Sequence, residues 1–236
     1  MTEQLVLPMG VDDAPSLDNF LDTPNRDLMA YLKQQLLKRA SGHLDAFTGI
    51  LVYGDPGSGK SHLDAALVEW VAECRGEALR LNSLKDLKRV SVLVERNQVY
   101  LLDDLEAFLG DALTERELLT FIERLKQHKA GLVMFARRSV NGLGVRLADL
   151  RSRLQAMESF ELCALDENEK RLVLSRRARQ RGILLSEEVL NWLFTHTGRE
   201  LGTLFDLLER IDVLSLAEKR RVTIPLIKSM LGERHD

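Results

Sequence analysis

The chain has 236 residues, of which 45% are hydrophobic and 29% charged, with a formal net charge of −3 and an isoelectric point near 6.0. A polypeptide of this size buries about 70–75% of its unfolded surface and needs no staples, and its mild acidity excludes a protein that coats nucleic acid by bulk electrostatics. Cys74 and Cys163 in no C-x-x-C pattern, scattered histidines, no apolar run near membrane length and no basic leader at Met1 to Gln4 read as buried free thiols in a cytoplasmic protein without a zinc site or a membrane span.

Along the chain, residues 1–24 hold three of the five prolines and several acids, which predicts an extended N-terminal tail. Leu28, Leu32, Leu36 and Leu37 recur at helical spacing through 26–40, with a stop near Ser41-Gly42. From there strand-like and helix-like segments alternate. The strands are expected at 48–53, 77–81, 99–102, 131–136 and 159–163, and helices follow the first of them and span 114–128. Such alternation predicts an α/β domain with a parallel five-stranded sheet and helices on both faces. After Leu165 only helical patterns remain. Asp166-Glu167-Asn168-Glu169 reads as a capping box opening a helix that runs to Gly182. Ser186, Arg199 and Thr223 stand near the starts of three more helices, the last with Pro225 in its first turn. The expected organisation is a tail over 1–24, a nucleotide-binding domain over 25–165 and a four-helix lid over 166–236.

Two motifs carry chemistry. Gly54-Asp55-Pro56-Gly57-Ser58-Gly59-Lys60-Ser61 is a complete G-x-x-x-x-G-K-S phosphate loop, directly after the β-prone run Ile50-Leu51-Val52-Tyr53. Gly54, Gly57 and Gly59 allow backbone N–H groups to wrap phosphate oxygens, Lys60 is expected at the β/γ-phosphates, and Ser61 is expected to ligate Mg2+. The helix that follows, from His62, aims its positive end at the anion. The second motif is Val99-Tyr100-Leu101-Leu102-Asp103-Asp104, a buried strand ending in acids. Asp103 is expected to hold the hydration shell of Mg2+ and Asp104 to orient an attacking water, with Glu106 as its substitute. Two adjacent carboxylates make most sense beside a cation.

With both motifs placed, the chain resembles the AAA+ fold, and within it the DnaA-related family in its short Hda branch, from about residue 4 to residue 231. Asp18-Asn19-Phe20-Leu21-Asp22-Thr23-Pro24-Asn25 is similar to the family's first box, which implies Asn25 near the adenine. Leu150-Arg151-Ser152-Arg153-Leu154 matches the segment of the arginine finger, which implies that role for Arg153. Gly198-Arg199-Glu200-Leu201 is similar to the start of the sensor II helix and implies Arg199 over the phosphates. Gln4-Leu5-Val6-Leu7-Pro8 is similar to the peptide with which such proteins dock on the sliding clamp of DNA polymerase III, the β subunit. The resemblance also implies ADP or ATP with Mg2+ as ligands and the initiator DnaA as partner. It leaves ADP against ATP, and monomer against homodimer, open.

The match departs at Arg137, which stands where the family's sensor I carries an acid and so weighs against independent water positioning. The chain stops at Asp236 without the DNA-reading helix-turn-helix of the initiator, so sequence-specific DNA binding is not expected. Arg176, Arg177, Arg179 and Arg181 form a local basic run on one lid helix, either a solvated face or a surface for DNA or an acidic partner.

Overall fold

The computed structural model describes residues 14–218 and 222–231. The described chain divides into two compact units, residues 15–164 and the helices from Leu165 onward. In the first, α1 (Arg26–Ala40) precedes β1 (Thr48–Tyr53), α2 (Lys60–Glu73), β2 (Ala78–Leu81), α3 (Leu84–Ser91), β3 (Val99–Leu102), α4 (Ala112–Gln127), β4 (Gly131–Ala136), α5 (Ala148–Gln155) and β5 (Glu158–Glu161). The five strands form one parallel sheet in the order β2-β3-β4-β1-β5. β1, the strand that feeds the phosphate loop, is thus flanked by β4 and β5.

Strands β1, β3 and β4 are buried on both faces because their residues alternate between two cores. Leu51, Tyr100, Leu102, Leu132 and Met134 join the cluster with α4 and α5 residues such as Leu118, Phe121, Leu150 and Leu154. Ile50, Val52, Leu101, Val133 and Phe135 face the opposite cluster with Leu28, Leu32 and Leu36 of α1 and Leu63, Leu67 and Val71 of α2. Leu37 leaves the expected stripe and is half exposed.

The second unit holds α6 (Glu167–Gln180), α7 (Glu187–His196), α8 (Leu201–Glu218) and α9 (Ile224–Leu231). Asp166 and Glu169 make the full capping box at α6, and the Ser186 hydroxyl caps α7. Leu174, Ala178, Leu190, Leu193, Phe194, Leu204, Leu208 and Ile227 form its core. Two expectations need correction. Both cysteines are free, but Cys74 is only half-buried and Cys163 is exposed. The basic run on α6 is not one face, because Arg177 lies 4.1 Å over the Phe205 ring and Arg181 pairs with Glu209 and Asp212 at 3.3 and 3.6 Å. Arg176 and Arg179 remain exposed. Among the described residues no helix is long and apolar enough to cross a membrane.

Candidate functional site

β1 ends at Tyr53 and the chain turns through residues 54–59 into α2. A Cβ on Gly54 would stand 2.5 Å from the Leu162 carbonyl oxygen, and Gly57 and Gly59 have φ of +80° and +99°. The loop therefore takes a path that L side chains resist. The Lys60 ammonium lies inside it, donating to the Gly54 and Asp55 carbonyls at 2.6 and 2.8 Å and to Ser58 Oγ at 3.4 Å. Burial lowers the Lys60 pKa from the ordinary lysine value, Glu106 and Asp103 oppose that, and Arg137 adds to it. Charged groups from the segments just beyond β3 and β4 thus act on one ammonium.

The acidic side of the site is built by the end of β3. Ser61 Oγ donates to Asp103 Oδ2 at 3.0 Å, and Asp103 Oδ1 accepts from the Asp104 N–H at 3.0 Å. Asp104 is exposed and holds a left-handed backbone with φ of +54° at the start of a short 3-10 turn. Glu106, in that turn, accepts from the Arg137 backbone N–H at 2.7 Å through Oε1, while its Oε2 is buried without a hydrogen-bond partner. Burial without a partner is costly for a carboxylate oxygen. Of the two acids after Asp103, Glu106 is the one embedded between β3 and β4. From the sequence, Asp104, directly after Asp103, is the expected water-orienting group, with Glu106 as its substitute.

The N-terminal segment covers the loop. Ser16 and Asn19 close a turn on each other, the Asn19 side-chain oxygen lies 2.9 Å from His62 Nε2, and the Phe20 ring centroid is 5.7 Å from that of His62. A Cβ on Gly59 would stand 3.6 Å from the Phe20 ring. Asn25 is buried, and its amide clasps the backbone of Cys163, donating to the carbonyl at 3.1 Å and accepting from the N–H at 2.8 Å. It anchors the start of α1 to the chain leaving β5. Asn19 and Phe20 lie against the residues of the loop and the start of α2.

Arg153 lies on α5, remote in sequence from the loop. Its Nε is 2.6 Å from Glu123 Oε1 on α4, with both side chains close to half exposed. Arg199, in the second unit just before α8, is 69% exposed and 3.5 Å from Glu167 Oε2. Gln4, Leu5, Leu7 and Pro8 lie outside the described residues.

Sequence reasoning missed two buried acids. Asp64, one turn into α2, pairs with Arg80 of β2. Glu115, in the first turn of α4, is fully buried. Each stood on an otherwise regular helix, and the one signal was a carboxylate on the helix's apolar side.

Glycines that clear the cradle, an ammonium at its centre, and a hydroxyl 3.0 Å from a carboxylate beside it fit a polyphosphate with a divalent cation. The parallel sheet, this loop and the acidic end of β3 make a P-loop protein with the AAA+ fold. A family model described as novel STAND NTPase 3 matches residues 31–180, and one described as Hda, lid domain matches residues 167–231. A Haemophilus influenzae protein described as uncharacterized is 34% identical over 236 residues, spanning 98% of this chain and all of that protein. Among solved structures, domain III of the Thermotoga maritima replication initiation protein DnaA superposes with a TM-score of 0.75 at 20% identity, over 92% of this chain and 95% of that one. AMPPCP-bound DnaA from Aquifex aeolicus gives 0.67 at 18% identity, over 92% and 71%. The Thermotoga maritima RuvB Holliday junction branch migration motor gives 0.66 at 18%, also over 92% and 71%. The chain belongs to the NTPase family of the first model; its residues 167–231 match the Hda lid model, and its fold is that of DnaA domain III.

Proposed function

We propose that this chain is a nucleotide-bound regulator of chromosomal replication initiation. It holds ADP or ATP with Mg2+ in the loop from Gly54 to Ser61, with His62 at the start of α2, Asp103 at the cation and Arg199 of the lid over the phosphates. It docks on the sliding clamp through Gln4, Leu5, Leu7 and Pro8, and it presents Arg153 to ATP bound by the initiator DnaA. Hydrolysis of that ATP then prevents re-initiation.

The observation that carries this reading is the setting of Arg153. Its guanidinium is near half exposed on a packed helix and pairs with the partly exposed carboxylate of Glu123. Such a pair contributes about 0–1 kcal/mol, so a γ-phosphoryl group of a partner displaces Glu123 at small cost. The transition state of phosphoryl transfer spreads negative charge over the equatorial oxygens, and a guanidinium brought in from a neighbour is worth about 10³ to 10⁵ in rate, or roughly 4–7 kcal/mol. Arg153→Ala should therefore abolish stimulation of the ATPase of DnaA on DNA-loaded clamp while leaving clamp capture intact. Stimulation that survives in this variant refutes the assignment.

A second reading, an autonomous ATPase of the helicase-loader type, draws on Glu106, whose buried Oε2 and fixed Oε1 suit a group that orients water. It requires turnover by the purified chain alone that drops in Glu106→Gln. A chain with no turnover of its own removes this alternative.

A further inference from the structure

We infer that Glu115 is a positioning residue for Arg153, an inference that rests on the arginine-finger reading above. Glu115 sits on α4 with no exposed surface. Its carboxylate accepts three backbone N–H groups: Gly110 at 2.9 Å, Arg146 at 3.0 and 3.1 Å, and Leu147 at 2.7 Å. Its own helix does not need it as a cap, because Asp111 already accepts from the Leu113 and Thr114 N–H groups. Leu147 is the N-cap residue of α5 and makes no side-chain cap. In a capping box the N-cap N–H is bound by a glutamate in the first turn of the same helix; here the third residue of α5 is the buried Leu150, and Glu115 supplies that bond from another helix. Burial pushes the Glu115 carboxyl up, but the N–H bonds and the Arg146 charge outweigh it and hold the group below the ordinary glutamate value.

The consequence is mechanical. Arg153 lies six residues beyond Leu147, about 9 Å along the helix, so a tilt of about 10° at the entry displaces its Cα by roughly 1.5 Å. A 1 Å error in a transition-state contact costs about 10²-fold in rate. Leu150 and Leu154 are fully buried, so α5 stays folded and packed when its entry is loosened; its direction is what changes. α4 therefore holds the arginine helix twice, by Glu115 at the entry and by Glu123 at the guanidinium.

The test is Glu115→Gln in the full chain, which keeps side-chain volume and replaces an acceptor with an N–H donor. Maximal stimulation of the ATPase of DnaA on clamp-loaded DNA is expected to fall about 10- to 100-fold. The concentration for half-maximal stimulation and the affinity of the chain for its own nucleotide should change less than about twofold. Amide exchange at Arg146 and Leu147 should accelerate. Glu115→Asp keeps the charge but withdraws it by one methylene, and gives an intermediate loss; it serves also if the glutamine variant does not fold. Wild-type stimulation in both variants, or a loss that tracks lost nucleotide affinity, overturns the inference. If Arg153→Ala itself retains stimulation, the finger reading and this inference fall together; if Arg153→Ala is dead while Glu115→Gln is unaffected, only the positioning role fails.

Discussion

At the scale of the residue, Asp64 shows how an acid is kept under the phosphate-loop helix at a cost. Its side chain is 1% exposed, with the 38%-exposed Arg80 as its ion-pair partner. Burial raises its pKa to about 6; Arg80 works against that rise, and the Asp103 charge adds to it. An unfolded aspartate titrates near 4, so the folded chain keeps a proton that the unfolded chain loses between about pH 4 and 6. Stability from this group is fully present below about pH 4 and is lost as pH rises through about 6. Above that range the ionised form costs about 3 kcal/mol. Asp64→Asn removes the titration and leaves Arg80 to water. The variant should exceed the natural chain by about 1–3 kcal/mol at pH 8, and the gap should close toward pH 4 in denaturant melts. A gap that does not change with pH would exclude this account.

At the scale of the element, a buried arginine joins the two ends of the sheet's central strands. Arg39, in the last turn of α1, has no exposed surface and donates to the Lys129 carbonyl, the Ala46 carbonyl at 2.6 Å and Thr48 Oγ1 at 3.1 Å. Burial lowers its pKa to about 10, so it stays charged at neutral pH. It satisfies acceptors at the entries of β1 and β4 that no strand partner reaches. Arg39→Ala should lower unfolding free energy by about 2–4 kcal/mol, and Arg39→Lys should restore less than half, since one ammonium cannot span three acceptors at fixed angles. Thermal melts decide it, and an Arg39→Lys chain as stable as the natural one would contradict the claim. The same residue explains the limit of pattern reading. Strands β1, β3 and β4 were legible because unbroken apolar runs have nowhere to go but a doubly covered sheet. The capping box of α6 and the loop were legible because their geometry is local. α3 was missed because only Leu87 is buried along it, although Ser83 and Asp86 mark its start. Arg39, Asp64 and Glu115 were invisible because periodicity assigns charged residues to solvent, whereas their partners come from loops and strands 5 to 90 residues away. Asn25 stands in a box that the sequence marks, but what its amide does in the fold, clasping the backbone of Cys163, depends on where β5 ends.

At the scale of the whole molecule, the proposal combines a tether and a reactive arginine in one chain, and the two make different demands. A tether raises the local concentration of Arg153 near clamp-bound DnaA without touching the transition state, an effect worth about 10²- to 10⁴-fold in apparent affinity. A finger lowers the barrier without changing occupancy. A Gln4→Ala, Leu5→Ala double variant should therefore need about 10²-fold more protein for half-maximal stimulation yet reach the same plateau. Arg153→Ala should reach no plateau at any concentration. Mixing the two variants discriminates further, because a monomer must carry both features on one chain. Arg153→Ala chains then occupy the clamp without helping the tether-deficient chains, and stimulation in the mixture should stay at or below that of the tether variant alone. Restoration toward the natural plateau at limiting protein would mean that separate copies share the work, and the functional unit would be a homodimer with the tether of one protomer serving the arginine of the other.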